Sequence, residues 1–134
     1  MGKGYRDVLD VLVGIFYFLN LKKIRIISKT AVFHDVIYKM SIRQEYRRFF
    51  KDLFWQERTF GPFAPNLDSY LWCMYAGDLV YNSSSDDVFV VHLKLPTTWR
   101  QHCQPLFDEN ELELIKSLAE DIAAEFAKAE AEAA

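Results

Sequence analysis

Apolar residues recur at helical spacing near the start of the chain. Val8, Val11, Leu12, Ile15, Phe16 and Leu19 share one face, which predicts a buried amphipathic helix over residues 5–19. Gly14 lies inside it and weakens it by up to ~1 kcal/mol relative to Ala. Ile24 to Ile27 is short and β-branched apart from Arg25, and fits a short strand. Ser28 is then placed to cap a second helix over Lys29 to Met40, with Val32, Val36, Ile37 and Met40 facing inward. Ser41-Ile42-Arg43-Gln44 has the spacing of a capping box. It opens a third helical segment over residues 42–54, whose apolar positions are Ile42, Tyr46, Phe49 and Leu53.

Phe54 to Phe63 contains Gly61-Pro62 and reads as extended chain or turn. Pro65 or Asn66 starts a fourth helix, with Leu67, Leu71 and Met74 on one face and Tyr70 beside them, and Gly77 is placed to end it in the left-handed conformation. Leu79-Val80-Tyr81 and Val88 to Leu93 flank six polar residues, 82–87, and predict a β-hairpin. Residues 94–107 carry two prolines and read as irregular. Asp108-Glu109-Asn110-Glu111 caps a last helix and loads its first turn with negative charge, as the helix dipole favours. That helix is expected from about Glu109 to Phe126, ahead of an Ala/Glu-rich tail at 127–134. The expected class is α+β: a winged-helix-like domain over residues 1–126, helix-rich, with a small antiparallel hairpin sheet and an added C-terminal helix. The wing falls at residues 82–87.

Composition changes this picture little, and charge changes it more. At 134 residues and 51% hydrophobic, the chain has the apolar material for one buried core. Cys73 and Cys103 are too few for a disulfide framework, which points to reduced thiols and a cytoplasmic setting. The apolar run Val11 to Leu19 is far shorter than the ~20 residues of a membrane helix, so no membrane contact is expected. No small-residue cleavage site follows it, which argues against a signal peptide. Residues 1–60 carry 12 Lys/Arg against 6 Asp/Glu, whereas residues 61–134 carry 4 against 13. A chain divided in this way is suited to head-to-tail self-association, or to meeting a polyanion with its first half.

The stretch Arg58-Thr59-Phe60-Gly61-Pro62-Phe63-Ala64-Pro65-Asn66-Leu67, followed by Leu71 and Ala76-Gly77-Asp78-Leu79-Val80, is similar to a motif of uncharacterised prokaryotic winged-helix-like proteins. A related pattern occurs in antitoxin domains of the Panacea kind. The resemblance is best over residues 28–93. It implies a winged-helix-like fold and work as an antitoxin or protease adaptor, and it carries no catalytic positions.

In winged-helix regulators the helix ahead of the wing supplies the base contacts. Here that helix, residues 66–76, has no Arg or Lys, and the wing adds only Asp86 and Asp87. DNA affinity leans on neutralised phosphates and base reading leans on Arg, Lys, Asn and Gln, so DNA is a disfavoured partner and a protein partner is preferred. The basic material lies at Lys39, Arg43, Arg47, Arg48, Lys51 and Arg58, a candidate patch for an anionic partner. Its bland alternative is a solvated face neutralised by Glu45 and Asp52. The last helix carries Leu112, Ile115, Ala119, Ile122 and Phe126 at alternating spacings of three and four. That seam either packs within its own chain or pairs two copies into a homodimer, and it is the expected interface if a dimer forms.

Neither catalysis nor cofactor chemistry is expected. Cys103 adjoins His102, but neighbours in a chain do not orient one another for proton transfer. The histidines and cysteines show no metal-ligand spacing, and the glycines never gather at a strand-to-helix turn. Trp99-Arg100 is a candidate partner-facing anchor, against the plainer reading of a tryptophan lid over the core.

Overall fold

The computed structural model describes residues 7–83 and 85–133. Tyr5 and Arg6, where the first helix is expected to begin, Ser84 of the expected wing and Ala134 of the expected tail lie outside the described residues. Asp7 caps α1 (Val8–Leu21) through its carboxylate, and Asp10 returns a bond to the Asp7 amide, closing a capping box. β1 (Ile26–Ile27) follows, then α2 (Thr30–Ser41) and a single turn, α3 (Arg47–Phe50). β2 (Gln56–Arg58) and β3 (Gly61–Phe63) form a short antiparallel hairpin that leads into α4 (Pro65–Ala76). β4 (Val80–Ser83) and β5 (Val88–Val91) form the second hairpin. β1 pairs with β5, giving a three-stranded antiparallel sheet in the order β1-β5-β4. Then come α5 (Lys94–Thr98), a π-helical turn (Trp99–Cys103), a 3-10 turn (Gln104–Leu106) and α6 (Glu109–Ala133). The class is α+β, helix-rich, with small antiparallel sheets.

The core is a layer between α1, α2 and α6, extended by α4 and one face of the sheet. Phe16, Phe33 and Phe89 meet at its centre with ring centroids 5.3–6.2 Å apart, joining α1, α2 and β5. Trp99 is 1% exposed and packs against Tyr17, Phe18 and Phe107. It lies against the backbone of α1 at Gly14, where an added Cβ would come within 2.7 Å of the indole. Gly14 is therefore a close-approach position, and the helix propensity lost there is offset by the packing it admits.

Several expectations need correction. Ser28 does not cap α2. Its hydroxyl bonds Asn82 Oδ1 at 2.7 Å, tying the end of β1 to the β4–β5 hairpin, and no side chain caps the helix start. Val32 is only half-buried, while Phe33 and His34 turn inward with Val36, Ile37 and Met40. The third helix over 42–54 shrinks to one turn. Helix α2 runs through Ser41, whose hydroxyl bonds back to the Tyr38 carbonyl at 2.7 Å and so is not available to open a new helix. Ile42 consequently faces solvent, though Tyr46, Phe49 and Leu53 are buried as expected.

Residues 94–106 are helical, because Pro96 and Pro105 sit early in their turns, where a missing amide costs little, and only Phe107 is extended. β4 runs on to Ser83, which pairs with Val88, two residues further than expected, whereas β5 ends at Val91, short of Leu93. Helix α6 continues to Ala133 beyond Phe126.

Gly77 is not the left-handed residue. It has φ −86°, and Asp78 takes φ +59° one position later. The Leu79 amide bonds the Met74 carbonyl and the Asp78 amide bonds that of Tyr75, the two bonds of a Schellman motif with Asp78 at its left-handed position. Asp tolerates that conformation less well than Gly. Asp78→Gly is expected to raise the unfolding free energy by about 0.5–1 kcal/mol, measurable as a rise in urea midpoint at constant m.

Candidate interaction surface

The Gly61-to-Leu67 stretch builds a joint between the β2–β3 hairpin and α4. Gly61 takes φ +123°, a conformation open to glycine and strained for other residues. Pro62 can occupy β3 because a two-stranded ribbon leaves one edge unpaired. Phe63 stacks on the His34 ring, centroids 4.5 Å apart at 19°. Ala64 is fully buried, and its amide donates to His34 Nδ1 at 3.1 Å. Pro65 fills the first position of α4, where its ring suits the helix start. Asn66 bridges back to the end of α3, donating to the Asp52 carbonyl at 2.7 Å and accepting from the Phe54 amide at 3.0 Å.

His34 is the pivot of this joint and is 1% exposed. Because Nδ1 accepts an amide proton, Nε2 carries the ring proton and donates to Asp68 Oδ1 at 2.8 Å. Both ring nitrogens are thereby occupied within the chain. Beside the pair lies a polar pocket of about 180 Å³, lined among others by Ser28, Asn82, Tyr75 and Trp72. Burial, aided by the Asp68 charge, raises the Tyr75 phenol above its ordinary range. Sequence reasoning passed over His34. The available signal was its place beside Phe33 on the inward face of α2, which an all-apolar periodicity template leaves out.

Outward from the joint, α4 exposes Ser69, Trp72 and Cys73, and β4 exposes Tyr81, whose ring lies 5.0 Å from that of His92. Trp72 is 69% exposed. Residues 64–93 contain no Lys or Arg, while Asp68, Asp78, Asp86 and Asp87 lie along them. Arg25 donates to the Asp86 carbonyl in the β4–β5 hairpin and pairs with Glu130 at 3.1 Å.

The basic segment does not form one helical face, since residues 42–46 are not helical. Lys39 pairs with Asp35 and with Glu125, and Arg43 pairs with Asp121 at 3.0 Å. Arg58 bonds Gln56 and lies over the Phe63 ring. Arg47, Arg48 and Lys51 stay exposed at α3 with no ion pair among the described residues. Partial neutralisation holds as the bland reading expects, but the acids come from α6 and Asp35 rather than from Glu45 and Asp52. Lys22–Glu120 at 3.0 Å and Arg25–Glu130 repeat the pattern, so the basic first half and the acidic last helix answer each other inside one chain. Each such exposed pair contributes at most about 1 kcal/mol.

The seam of α6 is covered by its own chain. Ile115, Ala119, Ile122 and Phe126 are buried and Leu112 half-buried, packed on α1 and α2 with Phe126 stacked on Phe33. The homodimer expectation loses its surface here, because the residues assigned to it already form the core. Trp99 is likewise a core residue and not a partner-facing anchor. Its π-helical turn, closed by the Gln104 amide on the Trp99 carbonyl, points both Trp99 and Cys103 inward.

Cys103 is buried, and burial together with the Asp10 charge pushes its thiol up to about 12. The neighbouring His102 is exposed. The Tyr46 phenol also rises to about 12, through burial and then its hydrogen bond to Asp121 at 2.6 Å. Two expectations follow. At pH 8 iodoacetamide should modify the exposed Cys73 and reach Cys103 only after denaturation, as mass spectrometry would report. Above about pH 9 the unfolded chain gives up these protons before the folded one. The unfolded state then binds fewer protons, so stability falls from about pH 9 towards 12, a decline that Cys103→Ala should make shallower.

No protein-family model, curated protein or solved structure matches this chain.

Proposed function

We propose that this chain is a non-catalytic, winged-helix-like adaptor or regulatory module of the cytoplasm, binding a protein partner through the outward face of α4 and the wing hairpin. The observation that carries the proposal is an exposed tryptophan on a helix face without cations, bordered by acidic turns. Exposed aromatic side chains are the usual anchors of protein interfaces, whereas a nucleic-acid surface needs positive charge to displace counterions. The engagement of both His34 nitrogens within the chain supports a structural and not a catalytic role for the Asp68–His34 pair. The resemblance of residues 28–93 to antitoxin and adaptor domains points the same way.

A second reading rests on Arg47, Arg48 and Lys51, which no acid answers among the described residues. In it, α3 contacts DNA phosphates. Fluorescence anisotropy with a labelled mixed-sequence duplex separates the two. No saturable binding is expected at low salt. Binding that falls steeply with salt and is lost in R47A/R48A would replace the first reading with the second. Cross-linked partners from the native host, compared across variants, test the protein face. A partner held by wild type and by R47A/R48A, but lost in Trp72→Ser, is the expected outcome. Equal capture by wild type and Trp72→Ser would remove α4 from the interface.

A further inference from the structure

A strongly apolar opening shares no lining residue with the pocket beside His34. It is a groove of about 320 Å³ where the end of α1 meets the middle of α6, floored by Phe18, Leu19, Ala119 and Ala123, with Leu21 and Ile24 along its side. Leu21 is 61% exposed, so apolar surface stands open to water there. Its polar rim is narrow and specific: Lys22, Glu120 and Lys116. Lys22 is held by Glu120 at 3.0 Å. Lys116 sits one turn earlier on α6, on the same face as Ala119, Glu120 and Ala123, exposed and with no ion pair among the described residues.

We propose that this groove binds a small amphiphile, an alkyl chain ended by a carboxylate, with the chain lying on Phe18, Leu19 and Ala123 and the carboxylate meeting Lys116. Its volume is at the lower end of small-molecule pockets. A partner helix would need upwards of ~1,000 Å² of complementary surface in all. The charged residues Lys22, Lys116 and Glu120 fence the apolar area to much less than that. An apolar floor stabilises the chain in proportion to the area it covers, and an unanswered ammonium at its edge selects an anionic head.

Titration calorimetry of the full chain with decanoate, below its micelle concentration, tests this against 1-decanol and acetate. Saturable binding of one decanoate per chain is expected, with decanol weaker and acetate silent. Lys116→Ala should weaken decanoate roughly fivefold, the effect of losing one exposed ion pair, and leave decanol unchanged. Ala123→Phe, which fills the groove from a half-buried position, should abolish both while the melting temperature shows the fold retained. Absence of saturable decanoate binding to wild type, or undiminished binding to a folded Ala123→Phe protein, would overturn the proposal. So would co-flotation with phosphatidylglycerol vesicles that Ala123→Phe abolishes, because the groove would then serve a bilayer surface.

Discussion

Truncating Trp99 to alanine should lower the unfolding free energy by about 3–5 kcal/mol, read from urea denaturation at neutral pH. The indole is sealed among Tyr17, Phe18 and Phe107 and lies on the α1 backbone at Gly14, next to Ile115 of α6. Its removal leaves a cavity bounded by two helices, and rigid helices collapse poorly into such a space. A loss of that size is a large fraction of the ~5–15 kcal/mol that holds an ordinary domain together.

Gly14→Ala tests the same contact from the other side. Helix propensity favours alanine by about 1 kcal/mol, whereas the new methyl would meet the indole at 2.7 Å and Ile115 at 3.1 Å. Those atoms have nowhere to go, and overpacking of this kind costs about 1–3 kcal/mol, so a net destabilisation is expected. Combined with Trp99→Leu, Gly14→Ala should cost less than the sum of the two single changes, because the smaller side chain vacates the space the methyl needs. Strict additivity would show that Gly14 is not held open for the indole.

His34→Phe is expected to cost about 2–3 kcal/mol. The stack on Phe63 survives, and both hydrogen bonds go. Asp68 is partly exposed and recovers water, but the Ala64 amide is fully buried and keeps no acceptor. An orphaned buried donor carries a penalty of about 1–3 kcal/mol, which makes this amide the main loss. The damage should be local as well as global: amide exchange at 61–66 should accelerate beyond what the fall in global stability explains. Asp68→Asn keeps an acceptor for Nε2–H and should cost under about 1 kcal/mol. Equal costs for the two variants would move the weight of the joint from Ala64 to Asp68.

Much of this fold is written in local periodicity. The apolar faces of α1, α4 and α6, the proline at the α4 start and the Asp108–Glu111 capping box are all legible, and the two capping bonds form at 2.8 and 3.0 Å. What sequence reasoning misjudged depends on partners distant in the chain. Ser28 looks like a cap until Asn82 takes its hydroxyl. Ser41 looks like a cap until the preceding helix extends through it. The basic residues of 39–58 share a face only if they are helical, and apart from Asp35 beside Lys39 the acids that answer Lys39 and Arg43 stand some eighty positions away. Two prolines suggest irregular chain around Trp99, yet the plainer reading of a tryptophan lid over the core is the one that holds. The hairpin at Gly61 and the His34 joint carry a weaker local signature: the place of His34 beside Phe33 hints at burial, and its partners Ala64 and Asp68 lie 30 and 34 positions away.

The meeting of Gly14, Trp99 and Ile115 joins positions a hundred residues apart, and that spacing has a consequence for synthesis. Helix α1 meets α2, β5 and Trp99 as they are made, but the part of its apolar side that α6 covers stays bare until α6 has been made. Docking then closes the core late and all at once, with the acidic helix drawn towards the waiting lysines and arginines. A nascent chain stalled before Asp108 should therefore be a client for chaperones, whereas one stalled with residues through Ala133 already exposed should bind them less.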